Sequence, residues 1–165
     1  MIFMSNEQKI KEIQKEGLSE KNIAEVLLHH LSNLDYHATT ELVLNSNHFD
    51  IQKLTGKELE KVRIDVAAYK DEKIIFIEVE NGLWLTHPLL YRNFAHNILL
   101  AYPAENTALT DEEQIEYAKQ KGIGIVSVST IGSVTSILRP KDQEIPEQLS
   151  KAIISLIDKR IAKQK

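Results

Sequence analysis

The chain has no cysteine among its 165 residues. Neither a disulfide framework nor a thiolate metal site can therefore form, and the absence fits a reducing cytoplasm, where we expect the protein to be located. The chain has few glycines and prolines, six and four respectively, and contains 42% hydrophobic and 27% charged residues. This composition is that of an ordinary soluble globular protein rather than a fibrous or disordered one.

Long apolar runs are also missing. No run approaches the roughly 18 residues needed to span a bilayer, and the first residues, MIFMSNEQKIKEIQ, turn charged after a short apolar start instead of forming a signal peptide. We therefore expect a protein that is not exported and has no membrane partner. Positive charge is not in excess, because the formal net charge is −4, so any nucleic-acid binding must come from a local basic patch.

The predicted elements indicate one α/β domain over residues 1–165, with a core at about 20–129. A polar helix over 6–16 and an amphipathic helix over 146–163 are additions to this core. The core is predicted to begin with a helix that is capped by Ser19 and has the apolar stripe Ile23, Val26, Leu27, Leu31 and Leu34. A strand at 36–44, a hairpin, a helix at 87–97 and a strand at 97–102 follow. The last core elements are a helix with Thr110 and Glu113 at capping-box spacing and a strand within 122–130.

The hairpin is the stretch RIDVAAYKDEKIIFIEVEN, residues 63–81. A turn centred on Asp71 and Glu72 sets Asp65 opposite Glu78, and Arg63 opposite Glu80. One face of the hairpin is then apolar near the turn and acidic at its far end. The other face is predicted to be wholly apolar and to consist of Ile64, Val66, Ala68, Ile75, Ile77 and Val79.

Opposed carboxylates are an unusual choice for a hairpin that only needs to be stable. Directly opposed residues have Cβ atoms about 5 Å apart, and like charges there destabilise a sheet. A divalent cation between the oxygens would remove that penalty, and hard cations such as Mg²⁺ take carboxylate ligands. The alternative interpretation is a solvated acidic face on which Arg63 pairs with Glu80.

An acid on one strand, followed by two further acids after the turn, resembles the motif of the PD-(D/E)xK nuclease superfamily. Asp65 matches the first acid, Glu78 matches the second, and Glu80 stands where the family usually has lysine. Glu25 is similar to a glutamate that many members place on the first helix. The resemblance implies an α/β restriction-endonuclease-like fold, with an αβββαβ core and a central mixed sheet flanked by helices.

The resemblance also implies a function, namely a metal-dependent DNA endonuclease. Mg²⁺ or Mn²⁺ would be held by Asp65, Glu78, Glu25 and the backbone carbonyl of Val79, while Glu80 would position the attacking water or act as a further ligand. We expect the partner to be duplex or branched DNA and the protein to act as a homodimer. The alternatives are a catalytically inactive nucleic-acid-binding or assembly domain of the same fold, and an interaction protein without a nucleic-acid role.

Candidate contacts to nucleic acid follow from the same hairpin and the next helix. They are Arg63, Tyr91, Arg92 and His96, and Arg92 is also a catalytic candidate because it could replace the missing lysine. Arg92 and His96 are four residues apart, so a helix over 87–97 would place them on one face. Trp84 is predicted to pack that helix onto the sheet. The histidines at 29, 30, 37, 48 and 87 show no metal-ligand spacing.

Overall fold

The computed structural model describes residues 19–105 and 112–164. The predicted helix over 6–16 and Thr110 of the predicted capping box lie outside these ranges. Five helices and six strands are described: α1 (Glu20–Asn33), β1 (His37–Asn45), α2 (Ile51–Thr55), β2 (Lys61–Lys70), β3 (Lys73–Val79), α3 (Thr86–Leu90), β4 (Asn97–Pro103), α4 (Glu112–Lys121), β5 (Gly124–Val128), β6 (Val134–Leu138) and α5 (Glu147–Gln164).

The six strands form one mixed sheet in the order β1-β2-β3-β4-β5-β6. The β1/β2, β2/β3 and β5/β6 pairs are antiparallel, whereas the β3/β4 and β4/β5 pairs are parallel. Helices pack on the sheet, so the predicted mixed α/β architecture is confirmed. Within the described ranges, no helix combines the length and the apolar character needed to cross a membrane.

Two apolar layers cover the two faces of the sheet. Helix α1 begins where the Ser19 hydroxyl accepts the Asn22 amide at 3.1 Å, and its buried stripe packs on Val66, Ala68, Ile77 and Val79. Helix α5 covers the opposite face with Ile153 and Ile157, which pack with Phe76 and Leu100. The predicted apolar stripe of α1 is confirmed except at Leu34, which caps the helix and is 49% exposed.

The register of the hairpin is confirmed from Lys70↔Lys73 to Val66↔Ile77. Its turn residues have positive φ angles, 51° at Asp71 and 66° at Glu72. Both values are those of a type I′ turn, which matches the twist of the strands that it joins. The turn geometry is therefore favourable for a hairpin, although neither residue is a glycine.

One predicted face assignment is wrong. Ile64 was expected beside Val66, but it lies in the other apolar layer, with Phe76. The cause is a local irregularity: Glu41 on β1 has a φ of 54°, and regular pairing of β1 with β2 skips the position where Glu41 faces Asp65. On the two sides of this point, alternate residues of β1 and β2 face opposite sides of the sheet. The side chain of Asp65 therefore does not follow the regular alternation of β2.

The predicted helix over 87–97 is also wrong. Helix α3 covers only Thr86–Leu90, and Thr86 is its first residue rather than its cap. The chain then turns. Two carbonyl groups that a longer helix would use internally, those of Arg92 and Ala95, accept hydrogen bonds from the Gln143 side chain instead. Burial of Phe94 fixes the same segment against the sheet.

Several elements fall close to their predicted limits, and two additional elements were not predicted as such. Strands β1, β4 and β5 and helix α5 match the predictions within a few residues. Helix α2 is capped by Asp50 and ends at Gly56 with a φ of 75°. Strand β6 was not predicted, because its alternation is short and its side chains are mostly not buried.

The geometry of the hairpin turn predicts the effect of a glycine at position 72. Glu72→Gly creates an Asp-Gly turn, the sequence that type I′ geometry favours. Because a side chain at positive φ costs about 1–2 kcal/mol, partly offset by the greater entropy of glycine in the unfolded chain, we expect a gain of about 0.5 kcal/mol and a rise in melting temperature of about 1–2 °C. Glu72→Gln is the control, since it removes the charge and keeps the Cβ. An equal rise in Glu72→Gln would contradict this explanation.

Candidate metal centre and active site

Asp65 is fixed at the point where the hairpin stops pairing regularly. Its Oδ2 accepts the backbone N–H of Val79 at 2.8 Å, so the side chain takes the place of a strand hydrogen bond. The carboxylate is therefore held against the peptide between Glu78 and Val79. The carbonyl of Val79, the expected backbone ligand, belongs to the same short stretch and stays a prediction.

Glu78 lies almost completely inside the protein. It is 6% exposed, and its Oε2 is buried without a hydrogen-bond partner among the described residues. Burial, followed by the proximity of Asp65, raises the pKa of Glu78 to about 9. The carboxyl group therefore needs a proton or a cation, because an isolated carboxylate is costly to bury.

Glu80 and His87 complete the cluster. The Glu80 amide donates to the Ala101 carbonyl at 2.9 Å, which holds the end of β3 against β4. Nδ1 of His87 lies 2.9 Å from Oε1 of Glu80 and 3.6 Å from Oε1 of Glu78. Burial raises the pKa of Glu80, and His87 acts in the opposite direction. One potential ligand atom from each of these residues lies within 4.8 Å of the others.

His87 was not among the predicted site residues, because the spacing of the histidines did not indicate a metal site. The residue lies in the first turn of α3 and faces the acids that end β3. The signal that could have found it is its position in the first helix after the strand that carries the acids. The intervening loop, residues 81–85, brings the helix back over that strand end.

Glu25 and Asp65 line the same cleft, as expected for two residues of one site. This cleft has a volume of about 420 Å³ and lies between α1, the β1/β2 strands and the end of α5. Its wall also carries Lys21, Arg63 and Arg160. The Arg63 guanidinium lies 3.8 Å from Oδ1 of Asp65 and is mostly exposed. Basic and acidic groups therefore meet beside the cluster.

Arg92 and His96 do not reach the site. The Arg92 guanidinium lies beside Gly122, just before β5 and two strands away from β3. Nδ1 of His96 accepts the Ile74 amide at 2.9 Å, near the start of β3 and about 13 Å along the strand from Glu78. The structure does not bring either residue to the acids, because the helix that was expected to do so ends at Leu90; their roles as nucleic-acid contacts stay predictions.

Tyr91 and Trp84 also differ from their predicted roles. Tyr91 is buried, and its hydroxyl donates to the Arg63 carbonyl at 3.0 Å, so it supports β2 rather than facing solvent. Burial, then the charges of Glu78 and Asp65, raise its pKa. Trp84 was expected to pack a helix onto the sheet but is 64% exposed. It lies in the loop between Glu80 and His87.

Comparisons with known proteins give a fold and no activity. No protein-family model matches the sequence, and no curated protein matches it. Among solved structures, the chain is similar to the SPO1766 protein of unknown function from Silicibacter pomeroyi, with 14% identity, 90% of each chain covered and a TM-score of 0.63. A second similar structure is the protein of unknown function AF1548, with 16% identity, 66% of this chain and 55% of that chain covered and a TM-score of 0.43.

The buried carboxyl group predicts a pH effect on the metal-free protein. The pKa of Glu78 rises from 4.5 to about 9 on folding, so between these values the folded chain binds more protons than the unfolded chain. Stability conferred by this group is present at low pH and is lost as pH rises toward 9. Glu78→Gln has nearly the same shape and removes the charge, so it should raise the melting temperature at pH 8.

The size of that effect should depend on pH. We expect Glu78→Gln to gain at least about 1 kcal/mol at pH 8, equivalent to about 2–4 °C, and much less at pH 5. Glu116→Gln, on the exposed surface of α4, is the matched control and should change little at either pH. A gain of the same size at both pH values, measured by thermal unfolding with a chelator present, would contradict the assignment.

Proposed function

We propose that this protein is a metal-dependent DNA endonuclease built on a restriction-endonuclease-like core. The observation that carries the proposal is the pairing of Asp65 with Glu78 at the end of the hairpin, where one carboxylate oxygen is buried without a partner among the described residues. A stable hairpin does not require this arrangement, whereas a site for a divalent cation does. Apart from the short helix α2 between β1 and β2, the order α1, β1, β2, β3, α3 and β4 fits the αβββαβ core that the sequence resemblance implies.

The residues present fit a divalent cation. Glu78 and Glu80 offer carboxylate oxygens and His87 offers a ring nitrogen within one group. Asp65, which is held against the peptide next to Glu78, also lines the cleft that a substrate could enter. When bound, Mg²⁺ or Mn²⁺ would lower the pKa of a water molecule and stabilise the charge that develops on the phosphate. Glu25, which lines the same cleft, stays a candidate ligand in this proposal.

Each of the other polar residues has a definable task. Glu80 takes the place of the usual lysine, so its carboxylate could position an attacking water as general base or act as a further ligand. Arg63 extends from beside Asp65 toward solvent and can orient a phosphate group. Lys21 and Arg160 add positive charge to the cleft wall. These cations lie among four carboxylate side chains of the same wall, so a phosphate group there also requires the divalent cation.

The same site supports two further parts of the proposal. One catalytic site cuts one strand, so cutting both strands of a duplex calls for a homodimer. The second candidate function is a catalytically inactive DNA-binding or assembly domain. It is favoured by a specific observation, because Glu80 stands where the family usually has the lysine that serves catalysis.

Cleavage assays distinguish these two functions. Supercoiled plasmid and a four-way DNA junction are incubated with Mg²⁺ or Mn²⁺ and with wild type, Asp65→Asn, Glu78→Gln or Glu116→Gln, all purified in the same way. We expect cleavage by wild type and Glu116→Gln, and at least about a 100-fold loss in the other two variants, since each loses a charge that stabilises the transition state. No cleavage by wild type, or equal cleavage by all four proteins, would reject the endonuclease.

DNA binding can be tested separately in the Glu78→Gln background. Replacing Lys21 or Arg63 by glutamine should weaken binding to a short duplex and reduce the slope of log K against log salt concentration by about 0.9 each, because each loses one phosphate contact. Fluorescence anisotropy of labelled duplex at several salt concentrations measures both quantities. Lys119→Gln, on the exposed surface of α4, should leave the slope unchanged. The absence of any binding at low salt would remove both nucleic-acid functions.

A further inference from the structure

We propose that Glu78, Glu80 and His87 form a binding site that prefers a divalent transition-metal ion, with Mn²⁺ as the probe, over Mg²⁺. This inference deepens the proposed function and rests on it for its biological role. Binding itself needs no substrate and no catalysis. It can therefore be tested independently of DNA cleavage.

The distances between the potential ligand atoms fit one shared ion. Atoms that each lie about 2.1 Å from a metal are about 3.0–3.4 Å apart when they are neighbours in octahedral or tetrahedral coordination. Nδ1 of His87 is 2.9 Å from Oε1 of Glu80 and 3.6 Å from Oε1 of Glu78. All three potential ligand atoms lie within 4.8 Å of one another, so an adjustment of the side chains would bring them around one ion.

A second observation points to a ligand rather than to a simple hydrogen bond. The contact between His87 and Glu80 alone would account for a 2.9 Å distance. It does not account for Glu78, whose side chain is only 7% exposed and whose Oε2 has no hydrogen-bond partner within the described part of the chain. A cation beside this carboxylate would compensate its charge, and Asp65, held against the adjacent peptide, would add a further negative charge.

The histidine determines the selectivity. Mg²⁺ strongly prefers oxygen ligands and usually keeps several waters, whereas imidazole nitrogen is a good ligand for transition metals. A set of two carboxylates and one imidazole therefore favours Mn²⁺ and the ions that follow it in the first transition row. Because the His87 side chain is more than half exposed, it can be replaced without opening the core.

Trp84 provides a built-in reporter. It is the only tryptophan of the chain, it lies in the loop that joins Glu80 to His87, and it is exposed. A paramagnetic ion such as Mn²⁺ bound between these two residues should quench its fluorescence. Mg²⁺ is diamagnetic and should not quench it by this route.

The experiment measures metal binding by the full chain without DNA. Electron paramagnetic resonance of free Mn²⁺, together with Trp84 fluorescence, gives the affinity and the stoichiometry, and competition by Mg²⁺ gives the preference. We expect one Mn²⁺ per chain, bound at least about 10-fold more tightly than Mg²⁺. His87→Ala should weaken Mn²⁺ binding by about 10–100-fold and leave Mg²⁺ binding within about 2-fold.

Two control variants isolate the contribution of His87. His30→Ala changes another exposed histidine, which lies in the last turn of α1. This end of the helix lies near the hairpin turn, where Lys70 donates to the Leu34 carbonyl. The variant should bind Mn²⁺ as wild type does. Glu78→Gln should lose binding of both ions, with its fold checked by circular dichroism. Wild type that binds no Mn²⁺, or His87→Ala that binds it as tightly as wild type, would overturn the inference.

The outcome separates this inference from the proposed nuclease. Preferential Mn²⁺ binding without DNA cleavage would support the metal site and reject the nuclease. Cleavage together with equal affinity for Mg²⁺ and Mn²⁺, and no effect of His87→Ala on either, would support the nuclease and reject the role of His87. His87→Gln provides a second test of the same position if the alanine variant is unstable.

Discussion

The candidate site depends on one hydrogen bond, from the Val79 amide to the Asp65 carboxylate. This bond replaces a strand hydrogen bond at the point where regular β2/β3 pairing stops. It uses one oxygen of Asp65 and holds that carboxylate against the peptide next to Glu78. Because Glu78 faces into the protein from the neighbouring position, neither acid can move away from the other without breaking the end of the sheet. The backbone therefore holds the Asp65 carboxylate close to Glu78, and this proximity adds to burial in raising the pKa of Glu78.

The rest of the fold tolerates this arrangement because the sheet is covered on both faces. Helices α1 and α5 press apolar layers onto the strands that carry the acids, and the site lies at the end of these layers. The irregularity at Glu41 has the same location, since it faces Asp65 across β1 and β2. Strain and unpaired charge are thus concentrated where the regular sheet ends, a distribution often found at functional sites. Most residues of β3, β4 and β5 are buried.

The periodic patterns of the sequence predicted those elements whose structure depends on neighbouring residues. Alternation and the Asp71-Glu72 turn specified the hairpin register, and helical spacing specified the buried stripe of α1. The helix over 87–97 failed because the carbonyls that follow α3 are bonded by Gln143, about fifty residues later in the chain. A contact of this kind leaves no periodic signal. Arg92 and His96 were lost with that helix, and His87 was missed for the same reason, since only the path of the loop brings it to Glu80.

The charge balance of the site explains why Glu80 and His87 belong together. Asp65, Glu78 and Glu80 bring three carboxyl groups to the end of β3, which carry up to three negative charges when ionised. A protonated His87 compensates at most one of these charges, and Arg63 beside Asp65 is largely in solvent, where its field is screened. Neither His87 nor Arg63 compensates the charge of the buried Glu78 carboxylate. A divalent cation would supply two charges at one point beside these carboxyl groups, which neither His87 nor Arg63 can do.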